Sequence, residues 1–264
     1  MLRDITIGQY YSVQSKIHQM DPRFKIIASM LYLISLFLVN QIIAYTAVLI
    51  FIGSVIKLSK VPINYILKGL KPVFMLIIFA FLINVFLTSG TGDPIFKFGF
   101  VTIYLEGVER AFFMAIRLVL LIIGTSLLTL TTSPIELTDG IEYLLSPFKK
   151  IGLPAHELAM MMTIALRFIP TLLEETDKIM KAQMARGADF ESGNLMNRAK
   201  ALIPLLVPLF ISAFRRADEL AMAMEARCYR GGEGRTRLNV LRYSSLDLYG
   251  LFVMVLYLAV CIIL

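Results

Sequence analysis

The chain has 264 residues, 58% of them hydrophobic, and a mean hydropathy of +0.75. Soluble domains are nearer half apolar, so this composition, with its long uncharged runs, excludes an ordinary soluble domain and predicts an integral membrane protein. The net charge of +7 is not gathered in one basic patch but lies between apolar runs, which indicates contact with the membrane surface and no nucleic-acid partner.

The beginning of the chain carries no targeting signal that we can identify. Met1–Lys25 is polar and mixed in charge, so we expect no signal peptide. The two cysteines, Cys228 and Cys261, form neither a C-x-x-C nor a zinc pattern and indicate no disulfide framework. The two histidines, His18 and His156, lie outside any H-E-x-x-H motif. We therefore predict no catalytic residue, metal site or cofactor.

The first apolar run predicts a pair of membrane spans. Residues 26–56 form 31 residues without a charge. A single helix of that length would measure about 46 Å, well beyond the ~30 Å hydrocarbon core. Asn40 and Gln41 divide the run into two shorter halves, so we predict a hairpin of two spans.

Three further spans are predicted, which makes five. The third, at 73–87, follows Pro72, a residue suited to the first position of a helix. The loop 88–104 contains glycines and an Asp-Pro pair and predicts a turn or small hairpin. The fourth and fifth spans are expected at 105–130 and 246–264.

The distribution of lysine and arginine predicts the orientation. Residues 1–25 and 57–71 carry four cations each, the loop 88–104 carries one, and 131–244 carries fifteen. The positive-inside rule then places the N-terminus in the cytoplasm and the C-terminus outside the plasma membrane. The single-span alternative would put the fifteen cations outside.

Arg117 is a charge deep within the fourth predicted span. Intramembrane charges can mark an ion path. The alternative is a structural contact with a polar group on a neighbouring span, such as Asn84.

The segment 131–244 predicts three helices. The first begins at Ser133-Pro134, with Glu136 as an early acidic residue. The second runs over 155–186 through Pro170, and the third over 195–227 through Pro204 and Pro208, with a polar turn at 187–194 between them. Both long helices are apolar in their first halves and charged in their second halves.

The two long helices end alike. At an offset of 41 residues, Ala185-Arg186-Gly187 matches Ala226-Arg227-Cys228, and an aspartate precedes each arginine by nine residues. Arginine in the last turn is stabilised by the helix dipole and can pair bidentately with a partner's carboxylate. Glycine suits a left-handed cap better than Cys228, so the second helix could instead run on to Gly231-Gly232. The alternative interpretation is that both arginines only terminate their helices.

Three features carry a family resemblance: DPRFK at Asp21–Lys25, LRFIP at Leu166–Pro170, and the doubled arginine tips. Over nearly the whole chain they resemble the transmembrane coupling (T) component of energy-coupling factor transporters, a branch of ATP-binding cassette importers for vitamins and transition metals. Cys228 departs from the family's pattern, in which glycine stands at that position.

The resemblance implies an all-α fold, a polytopic membrane helical bundle whose two long cytoplasmic coupling helices cross in an X. Each tip would dock on one of two ABC-type ATPase subunits, through Ala185, Arg186 and Gly187 or through Ala226, Arg227 and Cys228. The helices would transmit ATP-driven motion to a substrate-binding membrane S component for uptake of a vitamin or micronutrient. To the S component and the coupling-helix interface we assign Met160, Met161, Arg167, Pro170, Pro204 and Pro208.

The resulting organisation is a four-span membrane bundle at 1–130, a cytoplasmic coupling region at 131–244 and a C-terminal span at 245–264. A self-sufficient secondary transporter is the alternative function. It would predict carboxylates or broken helices at the bilayer midplane, yet the first three predicted spans contain no Asp or Glu. A membrane enzyme is a third hypothesis, and no catalytic motif supports it.

Overall fold

The structure is a computed structural model, and it describes residues 10–39, 41–88, 96–98, 101–188, 190, 195–232 and 240–263. These residues form nine α-helices, a short 3-10 helix and one two-stranded hairpin, which confirms the predicted all-α class. The helices are α1 (Pro22–Leu38), α2 (Ile42–Ser59), α3 (Ile63–Leu70), α4 (Phe74–Leu87), α5 (Leu105–Thr131), α6 (Pro134–Leu145), α7 (Ala155–Ala185), α8 (Leu195–Ala226) and α9 (Ser245–Ile263).

The chain divides into two compact units. The bundle unit comprises Gly8–Ile141 and Leu241–Leu264, and the long-helix unit contains Glu142–Val240. In the bundle unit α5 packs against α1, α2, α3 and α4, while α9 packs on α1 and α2.

The core of the bundle unit joins apolar side chains with a few hydrogen-bonded tyrosines. Leu36, Val48 and Leu120 are almost completely buried. The Tyr32 hydroxyl donates to the Leu120 carbonyl at 3.0 Å, which ties α1 to α5. Ser35 and the Tyr257 hydroxyl lie 2.7 Å apart, so the polar groups buried between α1 and α9 are paired.

Two helix starts follow from local sequence. The Asp21 side chain accepts from the Arg23 amide, and Pro22 occupies the first helical position of α1. At α6 the Ser133 amide donates to Glu136 at 3.1 Å, and the Glu136 amide donates to the Ser133 hydroxyl at 3.3 Å. This reciprocal pair is a capping box, as the predicted helix start requires.

The first apolar run is broken where predicted, because α1 ends at Leu38 and α2 begins at Ile42. The loop before α5 contains the predicted hairpin, with β1 (Phe96–Phe98) antiparallel to β2 (Val101–Ile103). Helix α3 was not predicted, because the four lysines of residues 57–71 made that segment resemble a polar loop. The predicted polar turn at 187–194 is described only at 187, 188 and 190.

Within the described residues, four helices are long and apolar enough to cross a membrane: α2, α5, α7 and α9. A fifth crossing results if α3 and α4, bent by 58° at their break, form one span. Helix α1 has 17 residues and is about 26 Å long, shorter than the ~30 Å hydrocarbon core. This set differs from the five predicted spans, since it includes α7 of the predicted cytoplasmic region and omits α1. The five spans and their directions stay predictions from the charge pattern.

Candidate functional site: the paired helix tips

The two long helices have almost the predicted bounds. Helix α7 ends at Ala185 and α8 at Ala226, one residue before each arginine. Both helices continue through their internal prolines, Pro170 in α7 and Pro204 and Pro208 in α8. Each helix is therefore a single rod of more than thirty residues, about 45 Å long.

Helices α7 and α8 pack on each other at a polar contact around Glu175. The Glu175 carboxylate accepts from the Ser212 hydroxyl and from the Arg216 guanidinium, the latter at 3.0 Å. Glu175 and Arg216 are separated by 41 residues, the same offset that relates Arg186 to Arg227. The helices therefore meet at corresponding positions of the repeat, as a local two-fold relation requires.

The two helix ends have the same hydrogen-bonded cap. In α7 the Gly187 amide donates to the Met184 carbonyl and the Ala188 amide to the Gln183 carbonyl, both at 3.0 Å. In α8 the corresponding amides of Cys228 and Tyr229 donate to Glu225 at 2.8 Å and Met224 at 3.0 Å. This is the Schellman pattern, which closes a helix with one left-handed residue.

The expectation that α8 could continue to Gly231-Gly232 is wrong. Cys228 adopts φ 57°, in the left-handed region that Gly187 occupies with φ 90°. A non-glycine residue there costs roughly 1–2 kcal/mol, and the two cap hydrogen bonds offset part of that cost. The two tips therefore have the same backbone conformation, although the second has cysteine in place of glycine.

Both tips are exposed at the surface of the long-helix unit. Ala185, Arg186 and Gly187 are exposed, as are their counterparts Ala226, Arg227 and Cys228. Among the described side chains, no ion pair engages either arginine. Each guanidinium therefore keeps its fork of five donors available for a partner.

The contact between Glu175 and Arg216 limits how far apart the tips are. Glu175 and Arg216 each lie eleven residues before the arginine of their own helix. With about 1.5 Å of rise per residue, each tip lies roughly 16 Å beyond the contact, and straight rods would keep the tips within about 35 Å of each other. The contact therefore keeps the two arginines in the same part of the long-helix unit.

The residues assigned to an S-component interface are distributed along the first parts of both helices. Met161, Arg167, Pro170 and Pro204 are exposed, while Met160 and Pro208 are half-buried. An apolar face of α8 is exposed beside them, formed by Leu202, Ile203, Leu206, Val207, Phe210, Ile211 and Phe214. Such a contiguous apolar face is typical of a membrane or protein contact surface.

Arg117 makes a different contact from the one expected. Its guanidinium donates to the Tyr45 hydroxyl at 3.1 Å and to the Val39 carbonyl at 2.9 Å. Asn84, the expected partner, instead donates to the Ala80 carbonyl. Val39 lies at the break between α1 and α2, where helix carbonyls lack intrahelical partners, so Arg117 stabilises that break.

A buried cluster of charges at the start of α1 was not anticipated. The Arg23 guanidinium donates to both oxygens of Asp21, at 2.9 and 2.7 Å, and stacks over the Tyr243 ring at 4.2 Å. The Asp21 amide donates to Asp247 at 2.8 Å, which ties the start of α1 to the start of α9. The charged residues at the starts of α1 and α9, next to long apolar runs, were the sequence signal that could have predicted this cluster.

The electrostatics of this cluster favour the ionised carboxylate. Burial raises the pKa of Asp21, but the hydrogen bonds and charge of Arg23 outweigh it and hold that pKa below its usual range. Nearby, burial and the charge of Lys25 lower the pKa of His18, although its hydrogen bond to the Tyr11 carbonyl opposes the shift. Both groups therefore stabilise the bundle unit at neutral pH rather than in acid.

Comparison with known proteins gives a family match over most of the chain. The family model described as Cobalt transport protein (CbiQ) matches residues 13–238. A protein of Clostridium kluyveri named "Energy-coupling factor transporter transmembrane protein EcfT" is 64% identical over 247 residues, which cover 94% of this chain and 92% of the relative.

Relatives with the same name occur in Acidaminococcus fermentans and Bacillus subtilis. The first is 56% identical over 97% of this chain and 96% of its own length, and the second is 51% identical over 94% and 93%. The chain belongs to the cobalt transport protein (CbiQ) family and is a T component of an energy-coupling factor transporter. It is thus a membrane subunit of a multi-subunit transport complex.

Proposed function

We propose that this chain is the non-catalytic coupling subunit of its transporter. Two ABC-type ATPase subunits would each bind one tip, and their closing and opening on ATP would move α7 and α8. The long helices would carry that motion to a substrate-binding S component, for uptake of a vitamin or micronutrient.

The observation that carries this proposal is the pair of matched, exposed arginine tips. Their caps repeat hydrogen bond for hydrogen bond at the offset of 41 residues. A repeat of this kind suits two identical or homologous partners better than one asymmetric partner. The ionic contact between Glu175 and Arg216 would then act as the pivot between the two tips.

The membrane arrangement belongs to the same proposal. We place the coupling region, 131–244, in the cytoplasm together with the N-terminus, and the C-terminus outside. The fifteen cations of that region support this orientation through the positive-inside rule. A thiol label on a cysteine introduced at Ser192, which lies outside the described residues, should react only from the cytoplasmic side, and labelling from outside would contradict the orientation.

The S component would contact the exposed apolar residues of the long helices. Met160 and Met161 supply flexible thioethers, which suit a surface that must repack during each cycle. Arg167 and the three prolines, Pro170, Pro204 and Pro208, complete the surface that we assign to this contact.

The test removes both arginines and leaves the rods intact. The variant Arg186→Ala/Arg227→Ala should insert into membranes normally but lose ATPase binding at least a hundredfold, because each desolvated arginine at an interface contributes about 2 kcal/mol or more. The single variants should each lose part of the binding. Copurification of the ATPases and ATP-driven uptake in proteoliposomes measure the two effects.

A matched control removes the same charge elsewhere on the same helices. Lys178 and Arg215 are exposed and lie away from the tips. The variant Lys178→Ala/Arg215→Ala should retain ATPase binding and uptake. Normal uptake in the double tip variant, or an equal loss in the control, would contradict the assignment of the tips.

A further inference from the structure

The bundle unit contains a cavity of about 460 Å³ between α1, α2, α5 and α9. That volume is within the range of small-molecule sites, about 300–1,000 Å³. Its deep end is formed by Tyr32, Phe51 and Met254. Its lining is apolar apart from a small group of polar side chains, which includes Lys16 and Lys25.

The lining residues come from the same end of four helices. Lys25 lies in the first turn of α1, Leu58 in the last turn of α2, Thr131 at the end of α5 and Leu246 at the start of α9. Tyr32 lies seven residues farther along α1 than Lys25, about 10 Å deeper at the helical rise. The cavity therefore has a cationic end and an apolar interior.

Lys25 is a buried charged group of this site, with 6% of its surface exposed. Its ammonium donates to the His18 and Thr131 carbonyls, each at 3.0 Å. An ammonium has three donors, and within the described part of the chain no carboxylate forms an ion pair with Lys25. The carboxylates of Glu136, Asp247 and Asp21 favour the charged form of Lys25 without forming an ion pair with it. The site therefore offers a ligand the third donor of Lys25 and the ammonium of Lys16, to which an anionic group can bind.

The walls of the cavity are tightly packed. A Cβ atom at Gly124 would lie 2.2 Å from the Tyr32 ring, and one at Gly250 would lie 2.8 Å from the Phe24 ring. The cavity therefore lies beside closely packed parts of these helices. It is a defined space beside close contacts that only glycine permits.

The cavity also opens toward the outer surface of the bundle unit. Two of its lining residues, Leu58 and Val253, are 51% and 50% exposed. In a membrane, surfaces of this kind face lipid chains. A chain could therefore enter sideways while its headgroup stays at the lysine end.

We propose that this cavity binds one acyl chain of an anionic phospholipid, with the headgroup phosphate at Lys16 and Lys25. The lipid would be bound within the folded bundle, in contrast to the lipids of the surrounding bilayer. This site goes beyond the proposed coupling function, because it involves neither arginine tip and needs no ATPase.

The test uses the full chain, copurified with its partner subunits and reconstituted in vesicles of phosphatidylcholine. Phosphatidylglycerol with a photoreactive group in its acyl chain is added, and the labelled peptides are mapped. Label should concentrate on cavity residues such as Ala28 and Met254. Phosphatidylcholine with the same photoreactive chain should label these positions at least threefold less.

Two pairs of variants separate the cavity from the general lipid surface. Val253→Trp should fill the opening and reduce labelling of the cavity at least fivefold, while Val255→Trp, on the same helix, 57% exposed and outside the lining, should not. Lys16→Gln should remove most of the preference for phosphatidylglycerol, while Lys57→Gln, exposed near the end of α2, should preserve it.

Three results would overturn the proposal. They are label spread evenly over the exposed apolar side chains, equal effects within either pair of variants, and displacement of the phospholipid by free fatty acid without a headgroup preference. Thermal unfolding of each variant establishes that it is folded. A failure of this site leaves ATPase binding untouched, so it is distinguishable from a failure of the coupling proposal.

Discussion

Arginine has opposite surroundings in the two units of this protein. In the long-helix unit, Arg186 and Arg227 are exposed, and no ion pair among the described residues engages them. In the bundle unit, Arg23 is 3% exposed, forms a bidentate pair with Asp21 and stacks on Tyr243.

This difference in burial distinguishes arginines that stabilise the fold from arginines that are available to bind a partner. A buried guanidinium must have its donors satisfied within the protein, so Arg23 is a structural residue. An exposed guanidinium on a rigid helix end costs little and can satisfy a partner's acceptors, so the tips are available for recognition. The four predictions below test this comparison.

The largest effect should come from replacing Arg23. Arg23→Met would leave the Asp21 carboxylate buried without its ion pair, which costs about 3–5 kcal/mol. The matched variant Arg186→Met should change stability by less than about 0.5 kcal/mol, because that side chain is exposed. Thermal unfolding in detergent measures both, and similar losses in the two variants would contradict the comparison.

Substitutions at the left-handed cap residues should have opposite effects on stability at the two tips. Gly187→Ala places a Cβ at φ 90° and should destabilise the long-helix unit by roughly 1–2 kcal/mol. Cys228→Gly should relieve the same strain and stabilise the unit by up to about 1 kcal/mol. Cys228→Ala, which retains the strain, serves as the control, and its unfolding temperature should not change. Stabilisation by alanine as large as that by glycine would show that the thiol, not the backbone, matters.

A smaller effect on stability is expected at the crossing contact. The Glu175–Arg216 pair is partly exposed, so its loss should cost less than about 1 kcal/mol. If it is the pivot between the tips, Glu175→Gln should nevertheless reduce ATP-driven uptake severalfold while ATPase binding persists. The charge reversal Glu175→Arg/Arg216→Glu should recover part of that uptake. No recovery, together with normal folding, would exclude a pivot role for this ion pair.

The smallest effect should be a loss of bundle stability in acid. The folded-state pKa of His18 lies below the ordinary 6.5, so its contribution is present above that pH and is lost as the pH falls through the folded value. The folded-state pKa of Asp21 lies below the ordinary 3.8, and its contribution disappears at still lower pH. His18→Gln should remove only the first step of an unfolding curve measured against pH. An unchanged first step would assign it to another group.

Much of the architecture was predictable because its signals are local. The break between α1 and α2, the capping box of α6 and the ends of α7 and α8 all depend on residues within a few positions of one another. The cap at Cys228 was not predicted from the sequence. Glycine is preferred in the left-handed conformation, but the hydrogen bonds of the cap are made by backbone groups that cysteine also has. The short helix α3 was missed because its polar residues obscured an apolar face that packs on α5.

The amino-acid sequence by itself determined most of the helices and the repeat of the tips, because hydrophobic runs and caps act through neighbouring residues. Only the tertiary structure decided which charged side chains are buried and which are exposed. Asp21 meets Asp247 across 226 residues, Arg117 reaches Val39 across 78, and Glu175 meets Arg216 at the crossing of two helices. These contacts depend on how helices pack side by side, and no local pattern encodes which faces will meet.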